Sequence, residues 1–191
     1  MNICVYGASS TEIDAKYIKA GEALGRLMAE RGHSLVFGGG ANGMMGAVAR
    51  GVHEGGGFII GVAPSFFNVD GILYDKCTQF IYPETMRERK RIMDERSAAF
   101  IASPGGLGTF DEFFEIVTLK QLGRHSKPIA LLSTDGYYDH FEAFIQNGID
   151  QKFMNPECRE LFYISDEPVK ILDYIENYDP ADAPVSKFKS V

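Results

Sequence analysis

Ser34-Leu35-Val36-Phe37-Gly38-Gly39-Gly40-Ala41-Asn42-Gly43 decides the fold. An apolar, β-prone run stops on three glycines, and a helical-period segment from about residue 43 to 53 follows at once. This is a buried strand passing into a helix through a turn that opens on three residues without side chains. The same grammar repeats outward in both directions. Upstream, residues 2–6 form a β-prone run that ends at Gly7. Residues 13–31 then carry Ile13, Tyr17, Ala20, Leu24, Leu27 and Met28 on a helical stripe. Thr11 is the expected N-cap, with Glu12 and Asp14 near the positive helix start. Downstream, strands are predicted at 58–63, 77–82, 98–102, 128–132 and 162–164. Helices are predicted at 84–96, 109–122, 138–151 and 166–177. Residues 64–75 read as irregular and 179–191 as a flexible tail.

Alternating strands and helices imply an α/β protein with a Rossmann-like, doubly wound parallel sheet and helices on both faces. No linker or repeat divides the chain, so residues 1–178 are expected to form a single domain. Such sheets bind ligands beyond the carboxyl ends of their strands. Both glycine clusters of this sequence fall at that edge.

Composition narrows the function. The chain has 191 residues, 45% hydrophobic, 24% charged and 12% aromatic, with 19 Lys and Arg against 26 Asp and Glu for a net charge of −7. That balance argues against a general nucleic-acid binder, and an anionic ligand would need positive charge concentrated locally. No apolar run reaches the ~18 residues of a membrane span, and the N-terminus lacks the pattern of a signal peptide. Cys4, Cys77 and Cys158 are few, odd in number and widely spaced, as expected for reduced thiols in a cytoplasmic protein. Neither they nor the four histidines have metal-ligand spacing, so no metal is expected.

Gly38-Gly39-Gly40-Ala41-Asn42-Gly43 matches GxGxxG, which lets backbone N–H groups approach a phosphate at a helix N-terminus. A dinucleotide fingerprint is disfavoured. The motif follows the second strand, and the next strand ends at Val62-Ala63-Pro64 with no acid for a ribose diol. A P-loop is excluded because no Lys-Ser or Lys-Thr follows. Gly43 and Gly46 could simply allow tight helix–sheet packing. Packing does not require three consecutive glycines, which favours phosphate contact.

The second cluster is Pro104-Gly105-Gly106-Leu107-Gly108-Thr109-Phe110-Asp111-Glu112. Three glycines leave donors unobstructed at a helix start, where the dipole favours an anion. Glu112 lies about one turn into the helix. Its spacing leaves two roles equally open, a complement to the helix dipole or a catalytic carboxylate. Met86-Arg87-Glu88-Arg89-Lys90-Arg91 packs four cations into five residues. Met86, Arg89, Lys90, Met93 and Ser97 share one helical face, and the two methionines suggest partial burial. A cation there needs an anionic partner from the protein or from a ligand.

These residues carry a resemblance. Met86-Arg87-Glu88-Arg89-Lys90 and the segment 104–112 resemble the paired motifs MxxRK and PGGxGTxxE of the Lonely Guy (LOG) family. Members are nucleoside 5′-monophosphate phosphoribohydrolases that release cytokinins, and are often described as lysine decarboxylases. Residues 38–46 are similar to the family's GGGxxGLMG, Gly7-Ala8-Ser9-Ser10 to its GSS turn, and 121–128 to its segment after the motif helix. The resemblance implies a catalytic pair at Arg89 and Glu112. It implies substrate contacts at Met86, Lys90, Thr109, Gly39, Gly40, Gly105, Gly106 and Gly108. It further implies hydrolysis of a purine nucleoside 5′-monophosphate, no cofactor, and a homodimer. Arg87 stands where a His is common, Ser103 replaces a Leu and Leu107 an aromatic. The segment 68–71 lacks a frequent Glu, with Asp70 as the nearest acid. These departures bear on base preference more than on the reaction. The alternative is a non-catalytic nucleotide- or molybdenum-cofactor carrier of the same fold, which would keep the glycine turns without needing Arg89 and Glu112.

Overall fold

The computed structural model describes residues 1–67 and 71–180. Its strands are β1 (Asn2–Tyr6), β2 (Ser34–Phe37), β3 (Ile59–Val62), β4 (Gln79–Ile81), β5 (Ala99–Ala102), β6 (Ile129–Leu132) and β7 (Tyr163–Ser165). Its α-helices are α1 (Ala15–Glu30), α2 (Gly43–Glu54), α3 (Met86–Glu95), α4 (Leu107–Gln121), α5 (Asp139–Asp150) and α6 (Pro168–Glu176). All strand pairs are parallel, and the order is β4-β3-β2-β1-β5-β6-β7. None of the described helices is long and apolar enough to cross a membrane.

The doubly wound α/β expectation holds, and the strand pleat shows why. In β1, Ile3 and Val5 face a core with Leu24 and Met28 of α1, Val48 and Val52 of α2, and Ile171 and Leu172 of α6. Cys4 and Tyr6 face the opposite core, with Met93 of α3, Phe113 and Ile116 of α4, and Ile145 of α5. Successive residues point to opposite faces, so strands covered on both sides read as unbroken apolar runs. The chain winds outward from β1 to β4, then returns to place β5 against the other side of β1. The carboxyl ends of β1 and β5 therefore lie side by side where the strand order reverses. That crevice is the ligand position of this architecture.

Element ends depart from the sequence reading at instructive places. α1 begins at Ala15, and its cap is Asp14, not Thr11: the Lys16 N–H donates to the Asp14 carboxylate at 2.9 Å. Residues 11–13 are held outside the helix by a turn in which Glu12 N–H donates to Ser10 Oγ at 3.2 Å. α3 begins at Met86, two residues after the expected start, because Thr85 is a strong cap. Thr85 accepts the Glu88 N–H at 3.1 Å while the Glu88 carboxylate accepts the N–H of Glu84, the residue before the cap, at 2.9 Å, a variant of the capping box. α4 begins at Leu107, earlier than the expected Thr109, so the second glycine cluster supplies both the turn and the first helical residues. Within the irregular 64–75 stretch a 3₁₀ turn forms at Ser65–Phe67. Asp70 lies outside the described residues, as does 181–191 of the expected tail.

Candidate active site

Three strand ends and two helices meet at the crevice. β1 contributes residues 7–10, β2 the first glycine cluster and β5 the second, while α3 supplies Arg89 and α4 supplies Glu112. A cavity of ≈430 Å³ is lined by Gly7 to Ser10, Met86, Arg89, Gly106, Gly108, Thr109 and Glu112, among others. A second cavity of ≈320 Å³ opens beside it, with Gly38, Gly40, Met45, Phe67, Ile72 and Leu73 in its wall. The two share Ser9, Met45, Phe67, Met86 and Arg89. The first cavity gathers Gly106, Gly108, Thr109 and Glu112, and the second adds a wall of large apolar side chains, Phe67, Ile72 and Leu73, beside Ser9, Asn42 and Arg89.

Arg89 and Glu112 join at the floor. Arg89 Nη1 donates to Glu112 Oε1 at 2.9 Å, and both side chains are only 11% exposed. Arg89 Nε donates to the Val62 carbonyl at 3.1 Å, which fixes the guanidinium against the end of β3. Gly38 makes this approach possible, since a Cβ there would stand 2.0 Å from Arg89 Nη2. Burial pushes the Glu112 carboxyl above its ordinary range, and the adjacent guanidinium pulls it part of the way back. Burial also raises the Cys4 thiol, which stays protonated beneath the site and offers no nucleophile.

The second glycine cluster is open toward the cavity. Cβ atoms at Gly106 or Gly108 would meet nothing within 4 Å, whereas one at Gly105 would stand 2.1 Å from Thr109 Oγ1. Thr109 is buried directly under the turn. The first cluster is packed. Gly39 has φ of 78° and faces Phe80, and its carbonyl accepts the Tyr74 N–H at 2.8 Å. It lines neither cavity, and Gly40 borders only the second one. At the start of α2, the Met45 N–H donates to the Ala8 carbonyl at 3.2 Å.

Lys90 is not brought to the glycine turn. It lies one residue past Arg89 and so about 100° around the helix. Its ammonium bonds Asp111 at 3.1 Å and also Glu115, and it lines a small separate cavity behind Glu112. The hydrogen bond that Lys90 donates to Glu115 raises its pKa, ahead of the smaller effect of the one to Asp111. Met86 is 42% exposed and borders both cavities.

The sequence reading singles out none of Met45, Phe67, Ile72 and Leu73 in the apolar wall. Their signal was present as Phe66, Phe67, Ile72 and Leu73, large apolar residues in a stretch without periodicity. An antiparallel bridge pairs Leu73 with Gly40 of the first cluster.

A sequence profile for a family described as "possible lysine decarboxylase" matches residues 45–175. A cytokinin riboside 5′-monophosphate phosphoribohydrolase of Arabidopsis thaliana is 36% identical over 93% of this chain and 84% of its own. A protein of Oryza sativa subsp. japonica with the same name, qualified as probable, is 39% identical over 93% of this chain and 72% of its own. Among solved structures, a molybdenum cofactor binding protein from Rippkaea orientalis has a TM-score of 0.69 at 23% identity, covering 92% of this chain and 94% of that one. A Moco carrier protein from Chlamydomonas reinhardtii has a TM-score of 0.68 at 23% identity, over the same 92% and 94%. At such identity the likeness is one of fold.

Proposed function

The chain belongs to the Lonely Guy family of phosphoribohydrolases, also described as possible lysine decarboxylases, and from that premise we propose that it hydrolyses the N-glycosidic bond of a purine nucleoside 5′-monophosphate. The products are the free base and ribose 5-phosphate, and the substrate is AMP or an AMP carrying a cytokinin-type base. The observation that carries the reading is the buried Arg89–Glu112 pair, which faces a cavity rimmed by an unobstructed glycine turn. The phosphate sits against the N–H groups of that turn and the start of α4, where partial positive charge gathers without any net protein charge. The base occupies the apolar side, between Met45, Phe67, Ile72, Leu73 and Met86.

Glu112 acts as the ionised carboxylate. The electron pair of the C1′–N9 bond leaves with the base, which takes up a proton, and the oxygen of water adds to C1′ while its other proton is released. Positive charge develops on the ribose during this exchange, and a carboxylate beside it stabilises that charge or removes the water proton. Arg89 opposes the effect of burial on the Glu112 carboxyl and fixes its direction. A decarboxylase would instead need pyridoxal phosphate on a Schiff-base lysine. Among the described residues lining the two cavities there is no lysine. The protein is read further as cytoplasmic and as a homodimer, the homodimer favoured by Leu107 and Phe114 of α4, which are 88% and 41% exposed.

Incubation with AMP followed by chromatography tests the reading. Free adenine and ribose 5-phosphate should appear in equal amounts, with adenosine turned over far less. Glu112→Gln should lower kcat by roughly 10²-fold or more and change KM much less. A folded Glu112→Gln protein with near wild-type kcat would remove the catalytic assignment. A protein that binds AMP and never cleaves it would be a carrier.

A further inference from the structure

The chain leaving β6 makes a tight 3₁₀ turn at Thr134–Gly136, with φ of 54° at Asp135 and 70° at Gly136. The Asp135 carboxylate pairs with Lys16, which ties the turn to the start of α1. The turn delivers two consecutive tyrosines to the glycine turn after β5. The Tyr138 hydroxyl donates to the Ser103 carbonyl at 2.8 Å, and the Tyr137 hydroxyl donates to the Gly105 carbonyl at 2.7 Å. Between them, the Pro104 carbonyl accepts the Ala8 N–H at 3.1 Å. Three successive carbonyls of the turn are thus all drawn to protein donors.

The rings are braced as well. Tyr137 and Tyr138 meet edge to face with centroids 5.1 Å apart, Tyr17 stands against Tyr137 at 6.0 Å, and Phe110 against Tyr138 at 6.4 Å. Tyr138 is fully buried, and burial raises its phenol well above the ordinary value, so it stays a donor at any physiological pH. Tyr137 is 38% exposed and borders neither cavity.

Glycine makes this anchoring matter. A peptide unit between two glycines meets little steric resistance to rotation, so the residues that open the turn to an anion also leave its carbonyls free to swing toward that anion. A carbonyl oxygen facing a phosphate repels it. In a trans peptide the C=O and the following N–H point in opposite directions. Holding the Gly105 carbonyl on Tyr137 therefore commits the Gly106 N–H to the other side, and Gly106 is the residue whose surroundings are open at the cavity.

We propose that Tyr137 and Tyr138 are positioning residues for the anion-binding turn, their hydroxyls holding the Gly105 and Ser103 carbonyls back so that the Gly106 N–H faces the substrate phosphate. This rests on the reading of the turn as the seat of the 5′-phosphate. The hydroxyls touch no substrate. They act through the backbone of the turn, and their effect is confined to ligands that carry the phosphate.

Tyr137→Phe removes one oxygen and keeps the ring and its contacts. Calorimetric titration with ribose 5-phosphate and with ribose should be run beside kinetics on AMP and adenosine. The affinity for ribose 5-phosphate should fall about tenfold and the KM for AMP should rise in step. kcat should stay within about threefold, and the weak activity on adenosine should not change. Wild-type affinity for ribose 5-phosphate in the variant overturns the proposal. So does an equal loss on AMP and adenosine, which is the mark of a general structural defect. Should Tyr137→Phe not fold, Tyr138→Phe is the second variant, judged by the same outcomes. If the wild-type protein itself neither cleaves AMP nor binds ribose 5-phosphate, the functional reading has failed and the positioning role falls with it. A variant indistinguishable from an active wild-type enzyme sinks only the positioning role.

Discussion

After β2, Gly38 leaves room for a guanidinium: a Cβ there would stand 2.0 Å from Arg89 Nη2, and one at Gly40 would stand 2.7 Å from the Met45 side chain. After β5, Gly106 and Gly108 leave room that no protein atom within 4 Å takes up. The two clusters share a sequence pattern and a place at the sheet edge, yet the first has Arg89, Met45 and Phe80 packed against its glycines where it borders the second cavity, and the second leaves Gly106 and Gly108 uncovered at the first cavity. Three consecutive glycines after a strand report only that something comes close to the backbone. Whether that something is an arginine or a ligand is decided by which helix packs over the turn. α3 lies over the end of β3 and reaches into the first turn, and α4 grows out of the second turn and leaves its mouth clear.

The largest effect should come from closing the first turn. In Gly38→Ala the new methyl pushes the Arg89 guanidinium off its place, and with it the bond to Glu112. The far end of a side chain can move, so thermal stability should change little, while kcat on AMP should fall by roughly 10²-fold. The pH profile carries the mechanism. Burial raises the Glu112 carboxyl and Arg89 opposes that rise. If the ionised carboxylate is the working form, activity is lost as pH falls through its raised value. Displacing Arg89 should move that acid limb to higher pH, so the variant should recover part of its activity in alkaline buffer. A Gly38→Ala enzyme with an unmoved acid limb would mean that Arg89 does not govern Glu112.

Closing the second turn should act on binding instead. Gly106→Ala adds a methyl that meets no protein atom within 4 Å, at a residue with φ of −92° that any residue adopts. Stability should hold or rise by about 0.4–1 kcal/mol, because the unfolded chain loses freedom. The methyl stands where the phosphate is read to sit, so KM for AMP should rise about tenfold with kcat little changed. If Gly106→Ala lowered the melting temperature and left KM alone, the second turn would be packed like the first, and the contrast between them would collapse.

Much of this was legible in the residues. Apolar runs ending on glycine or proline marked β1, β2 and β5, and the Met86, Arg89, Met93 spacing foretold that Arg89 would be buried and in need of an anion. Its partner, Glu112 of α4, was named by the family resemblance, since no local spacing supplies the register between two helices that approach across the sheet edge. Lys90 shows the same gap. Its sequence neighbourhood suits an anionic substrate, but the 100° step from Arg89 turns it toward Asp111 and Glu115. The cap of α1 was misplaced because Ser10, Thr11 and Asp14 all have capping chemistry, and the Ser10 turn, visible only in three dimensions, takes residues 11–13 out of the helix. The tyrosine anchors were hidden for a further reason. A tyrosine at a strand–helix junction reads as packing, and its hydroxyl gains meaning only once its acceptor is known to be the turn after β5.

The smallest effect should come from Asp111, and it bears on the second turn most directly. Asp111 and Glu112 are adjacent in the second turn of α4, which has no acid in its first turn, so the helix dipole acts weakly on both. If negative charge there were all that mattered, the two should be interchangeable in their effect. Their surroundings differ: the Asp111 side chain is 65% exposed and accepts from Lys90 Nζ at 3.1 Å, while Glu112 is 11% exposed and held by Arg89. An exposed ion pair contributes about 0.2–1 kcal/mol, and Lys90 keeps Glu115 as a partner when Asp111 is neutralised. Asp111→Asn should therefore cost at most about 1 kcal/mol of stability and leave kcat on AMP within about twofold. Steady-state kinetics on Asp111→Asn and Glu112→Gln, prepared in parallel, make the comparison. Equal losses of kcat would mean that the turn and its helix work through their summed charge, and that the buried pair beneath them has no chemistry of its own.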